Sequence, residues 1–258
     1  MKIFRPNKYV PTLLELSLPF ALYCAIGVEW YWWVAGIIMF LLYRIIGHNV
    51  GLHRFYSHSQ FETTKLGECI LAWFSLTCTV GSPLSYTMIH LVHHKYSDTD
   101  MDPHGPAYGK KSLLYATWKP PYDLDNTPVF GRRLFQLNKY TWLNDWYWVL
   151  IFGQAFIAYL INWKLFVLCW WLPVSIILWE VAISTYISHK DGKQIRPTDK
   201  SSFYGKLLPF HEYMHEVHHD YPMLGDTAIK PGQIDYTHMA CNLFATKWRQ
   251  EKLETDPK

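Results

Sequence analysis

Two pairs of long apolar runs, each pair interrupted by almost nothing, constrain this chain more than any other feature. Pro11 to Val28 reads PTLLELSLPFALYCAIGV and Trp30 to Ile46 reads WYWWVAGIIMFLLYRII, with Glu29 alone between them. The second pair is Trp146 to Ile161, WYWVLIFGQAFIAYLI, and Leu165 to Ile187, joined through Asn162, Trp163 and Lys164. A bilayer core of about 30 Å takes about 20 helical residues, so each run is close to spanning length. The Trp/Tyr clusters at Trp30–Trp33 and Trp146–Trp148 suit interfacial anchors. The pattern predicts an all-α integral membrane protein with four transmembrane helices in two hairpins, at about 11–28, 30–47, 146–162 and 165–187. The alternative is a soluble bundle of unusually apolar helices.

Connections this short return each pair of spans to its starting side. The N-terminus, residues 49–145 and residues 188–258 then share one face, as a helical cap on a single 258-residue domain. Lys2, Arg5, Lys8, Arg54, Lys95, Lys110, Lys111, Arg132, Arg133, Lys190 and Arg196 all fall there. The excess of Lys and Arg makes that face, with both termini, cytoplasmic. A further apolar stretch, Leu66 to Val80, is interrupted by Glu68 and followed by Gly81 and Pro83. It is expected to lie on the membrane surface or re-enter it, not to span it.

The net charge of +3, without a Lys/Arg-rich block, gives no argument for nucleic acid. The five cysteines show no CxxC pair, and their expected role is that of small buried hydrophobes. The basic N-terminus leads into an apolar run with no small-residue cleavage site, so that run is expected to be retained.

Nine of the 13 histidines fall in four places on the cap side. His53 and His58 follow the second run. His90, His93 and His94 form HLVHH. His189 follows the fourth run, and His215, His218 and His219 form HEVHH. Positions i, i+3 and i+4 share one helix face, so each HxxHH can aim three ring nitrogens at one point. Five residues turn an α-helix by about 140° past a full turn, so HxxxxH is expected to need a helix end that frays toward the site. Neutral imidazole suits iron, zinc, copper and nickel. Nine imidazoles are too many for one ion and suit two, giving a di-metal site. Asp98, Asp100, Asp102, Glu212, Glu216 and Asp220 crowd the same sites. Asp98, Asp102 and Glu212 are expected to accept the second ring N–H of a ligating histidine, the alternative being solvated loop charge and, for 98–102 beside Pro103, turn chemistry. His48, His104, His211 and His238 lack partners at ligand spacing and are expected to be structural or to support the ligands from behind.

GHNVGLHRFYSH, HLVHHKYSDTDMDPHG and HEYMHEVHHDYP resemble the three histidine boxes of membrane fatty acyl desaturases, nearest to the delta-9, stearoyl-CoA-desaturase-like group. The likeness runs over roughly positions 40 to 225. It implies two irons held by His53, His58, His90, His93, His94, His189, His215, His218 and His219. It implies a fatty acyl substrate on coenzyme A or a lipid, desaturated to a cis alkene with dioxygen and two electrons. Zinc can replace iron in a recombinant preparation, since imidazole accepts both. Nothing in the chain resembles a fused haem domain or an iron–sulfur cysteine set, so a ferredoxin or b-type cytochrome would supply the electrons. Membrane lipid is the other expected partner.

The chain departs from the family pattern at several places. Leu91 stands where Arg is common. Thr185 stands where an Asn often holds a metal-bound water. His211 and Glu216 replace Gly and Asn, and His48 occupies a usually apolar position. YTMIH, Tyr86 to His90, replaces WARDH, which weakens coenzyme A as the carrier. His104, in the DPH of the second box, and Thr185 are expected to support the ligands. Leu41 and Ile45, one turn apart on the second span, are candidates for the end of the acyl tunnel, the alternative being plain lipid-facing or packing residues. The competing functions are a related lipid hydroxylase, a histidine-rich metal-storage or transport protein, and a desaturase-like protein without activity.

Overall fold

The computed structural model describes residues 9–97, 99, 102, 137–189 and 214–252. These are mostly helical. Two helices are long and apolar enough to cross a bilayer, Trp30–Ser57 and Trp163–Tyr186. The other two expected spans take shorter forms. Residues 11–28 divide into the helices Tyr9–Leu16 and Leu18–Cys24. Pro19 sits at the start of the second, and Ser17 turns back to donate to the Leu14 carbonyl at 2.8 Å. A proline has no N–H to continue the preceding helix, which places the break there. The third run is the 15-residue helix Tyr147–Ile161, about 22 Å long at 1.5 Å per residue.

The two tight reversals lie side by side. Gly27 takes φ +77°, which a residue without Cβ adopts freely, and Glu29 then caps the first long helix in extended conformation. Asn162 caps the second long helix by accepting from Lys164 N at 2.9 Å. Lys164 Nζ bridges to both Glu29 carboxylate oxygens, at 2.8 and 2.7 Å.

Both long helices contain π-wound segments, Leu42–Ser57 and Val167–Trp171. The second ends two residues before Pro173, whose ring and missing N–H force the preceding turn to widen. The first packs closely against the helix Lys65–Thr77. A Cβ on Gly47 would meet the Phe74 carbonyl oxygen at 2.3 Å and Cys78 Sγ at 2.7 Å. Gly47→Ala is therefore expected to destabilise the protein by about 1–3 kcal/mol. Gly153→Ala, where nothing lies within 4 Å, is expected to be neutral. Thermal unfolding in detergent compares the two directly.

Lys65–Thr77 is capped by Thr64, whose Oγ1 accepts from Gly67 N. It exposes Leu66 and Trp73 and buries Leu71 and Leu76. The helix Pro83–Tyr96 follows, capped by Ser82 with Pro83 in its first turn. The main core joins Tyr56, Leu84 and Met88 to Tyr147, Ile151, Val174 and Leu178, so the cap helices and the apolar helices share it.

The expectation of an all-α chain is corrected by one small sheet. Phe61–Thr63 pairs antiparallel with Ala245–Trp248, with Phe61 opposite Trp248. It fastens the C-terminal segment to the chain just after His58. Strands this short, far apart in sequence, carry no alternating pattern to reveal them.

Candidate metal centre

The first two histidines owe their alignment to the π winding. A π-helix bonds i to i+5, and His58 N donates to the His53 carbonyl at 3.1 Å. Residues five apart thus share a face, and His53 and His58 point the same way without the fraying expected of an α-helix. Ser59, at φ +55°, turns the chain immediately afterwards. His90, His93 and His94 lie in the last turns of Pro83–Tyr96, on the face their spacing predicts. His215, His218 and His219 do the same on the helix His215–Asp220.

Eight of the nine expected histidines converge in two adjoining groups. His53, His58, His90, His94 and His218 offer nitrogens that all lie within 4.8 Å of one another, and so do those of His93, His215 and His219. The groups touch: the rings of His94 and His219 stack with centroids 4.2 Å apart. His53, His58, His90, His93 and His218 are buried, and the other three are partly so. His189 ends the helix Leu172–His189, and its side chain lies outside the described residues. Asp98, His104, His211 and Glu212 also lie outside them.

Hydrogen bonds among themselves cannot satisfy the five histidines of the first group. Its Nε2 atoms form a path, His53–His218–His94–His90–His58, with steps of 2.8, 3.1, 3.0 and 2.7 Å. Each neutral Nε2 carries one proton or one lone pair, so four contacts through five atoms hold two hydrogen bonds at most. A central cation uses all five lone pairs at once. Two nitrogens about 2.1 Å from an ion and about 90° apart lie about 3.0 Å from each other, matching these spacings. Burial, then the surrounding imidazoles, push His90, His94 and His218 well below the usual histidine range. Arg54 adds to that effect at His218. At neutral pH these rings are uncharged donors, as a transition metal requires.

In the second group, His219 Nε2 lies 3.1 Å from His215 Nε2. His93 Nδ1 donates to Asp102 Oδ1 at 2.9 Å, and the Asp102 carboxylate is fully buried. That bond fixes the proton on Nδ1 and turns the Nε2 lone pair toward His215 and His219. Asp102→Asn is expected to lower metal affinity at this group by about 10–100-fold, read by chelator competition. Unchanged affinity would remove Asp102 from that role.

Other expected residues have different surroundings. Thr185 lies one turn before His189, half-buried. Ile45 packs with Ile46, Val50, Phe61 and Leu71, and Leu41 is half-buried. His238 contacts Asn242 and the Trp248 ring, outside both groups. Sequence reasoning missed Tyr86, whose ring lies parallel to His90 at 5.6 Å. It also missed the clamp of Arg54 on Asp235. The i, i+5 series His48, His53, His58 was the signal available for the π winding.

Comparison with known proteins agrees with this geometry. A family model described as fatty acid desaturase matches residues 30–230. An sn-2 palmitoyl-lipid 9-desaturase of Nostoc sp. (strain 36) is 25% identical over 240 residues, covering 88% of this chain and 83% of that protein. An sn-1 stearoyl-lipid 9-desaturase of Anabaena variabilis is 27% identical over 249 residues, covering 92% and 90%. Delta-9 acyl-lipid desaturase 2 of Arabidopsis thaliana is 26% identical over 227 residues, covering 82% and 72%.

Proposed function

The chain belongs to the fatty acid desaturase family and is a fatty acyl desaturase, and from that premise we propose that it places a cis double bond at the delta-9 position of a lipid-bound saturated acyl chain. The observation that carries the reading is the convergence of eight histidines into two touching groups. The relatives named as lipid 9-desaturases support the position and the carrier, and the YTMIH sequence at Tyr86–His90 fits a carrier other than coenzyme A.

One saturated acyl chain, one dioxygen, two electrons and two protons give the alkene and two waters. Side-chain acids and bases cannot remove hydrogen from an unactivated methylene, and two iron ions would supply the oxygen activation that does. His53, His58, His90, His94 and His218 would hold one iron. His93, His215 and His219, with His189, would hold the other. The chain's own contribution is placement. The π winding aligns His53 and His58, Asp102 keeps the His93 proton on Nδ1, and burial keeps bulk water from five of the rings. A ferredoxin or b-type cytochrome would deliver the electrons.

The topology proposed is four spans in two hairpins within one domain, with the histidines and both termini on the cytoplasmic face. The two long apolar helices and the Glu29–Lys164 contact between the reversals support it. Expression in a host with both donor types, followed by gas chromatography–mass spectrometry with double-bond derivatisation, tests the function. A new cis delta-9 monoene is the expected product. Hydroxylated chains without a monoene would replace the reading with a lipid hydroxylase.

A further inference from the structure

A line of polar side chains runs from the apolar helices to the five-histidine group. Glu180, on the second long helix, pairs with Arg44 Nε on the first and accepts from Arg44 Nη2 at 3.2 Å. Ser184 donates to Glu180 at 2.6 Å. Arg44 Nη1 reaches both Asn49 Oδ1 and His48 Nδ1, the latter at 2.9 Å. Arginine only donates, so His48 Nδ1 must accept and the ring proton sits on Nε2. The 3.1 Å approach of His48 Nδ1 to Asn49 Oδ1 is then two acceptors sharing one donor. His48 Nε2 faces Tyr86 Oη at 3.4 Å, with the rings edge to face. The Tyr86 ring lies 14° from parallel to His90. His90 Nε2 sits within 2.7 Å of His58 and 3.0 Å of His94.

Ionisable residues within apolar spans are costly and generally mark function. A pair serving only to join two helices would end at Glu180 and Arg44. Here the hydrogen bonds continue past the pair: one branch passes through Asn49 Nδ2 to Thr237 Oγ1 at 3.2 Å, and the other fixes the His48 tautomer and reaches Tyr86, whose ring stacks on His90. We propose that Glu180, Arg44, His48 and Tyr86 are positioning residues that hold the His90 ring with its Nε2 toward the metal. The proposal rests on the metal-centre reading above.

The test uses full-length protein loaded with iron(II), with release followed by a colorimetric ferrous chelator. Tyr86→Phe keeps the ring and loses the hydroxyl. His48→Leu removes the polar link. His48→Gln keeps an acceptor for Arg44 and a donor for Tyr86. Iron release from one site is expected to quicken about tenfold in Tyr86→Phe and His48→Leu, as for other groups behind metal ligands. His48→Gln is expected to restore the rate to near wild type, with unfolding midpoints unchanged in all three. Release at the wild-type rate in both disruptive variants would overturn the proposal. Faster release that glutamine does not restore would also overturn it, because packing alone would then explain the effect. A wild type that holds no iron would overturn the metal-centre reading itself, and this proposal with it.

Discussion

His90→Ala is expected to reduce monoene formation to background, a loss of more than about 100-fold, since even the partners behind a ligand contribute 10–100-fold. His90 is central to its group. Its Nε2 contacts those of His58 and His94, and its ring meets His53 edge-on at 4.6 Å between centroids. Alanine removes one donor and the ring that spaces three others. Because His90 is buried on a helix capped and packed elsewhere, the fold is expected to survive. Product analysis beside a matched wild-type expression checks this. Activity within a few-fold of wild type would remove His90 from the proposed ligand set.

The largest stability effect is expected at Arg54. Its guanidinium is buried and donates to Gly225 O at 2.7 Å, Asp235 Oδ2 at 3.1 Å and Gln60 Oε1 at 3.2 Å. Asp235 also accepts from Thr227 N, Thr227 Oγ1 and His238 N. This clamp holds the segment after the third histidine group against the helix that carries His53. Arg54→Leu leaves a buried carboxylate without its counter-charge, which costs about 3–5 kcal/mol. The midpoint of thermal unfolding in detergent is expected to fall by roughly 10 °C. A shift of a degree or two would mean that the C-terminal segment is held by other contacts.

Much of this was legible because it depends on short-range periodicity. The HxxHH groups lie on helices and present the faces their spacing requires. The long apolar runs at 30–47 and 165–187 became the cores of the two long helices. What was not legible depends on contacts distant in sequence. The π winding that aligns His53 and His58 goes with glycines packed against Phe74 and Ser75, which the spacing alone does not disclose. The break at Ser17 is visible afterwards as Pro19, but hydropathy averages across it. The acidic run after HLVHH offered several carboxylates, and spacing alone does not disclose the contact of Asp102 with His93. On the wide-wound helix, positions four and five before His53 carry Asn49 and His48, and Ile45 packs with Phe61 and Leu71.

If the two histidine groups each hold an ion, iron per chain is the most direct measurement of it. Purified wild type would be reconstituted anaerobically with iron(II), desalted and analysed by elemental mass spectrometry, beside a His215→Ala, His219→Ala variant. Two irons per wild-type chain and one in the variant are the expected result. One iron or none in a folded wild type would contradict it.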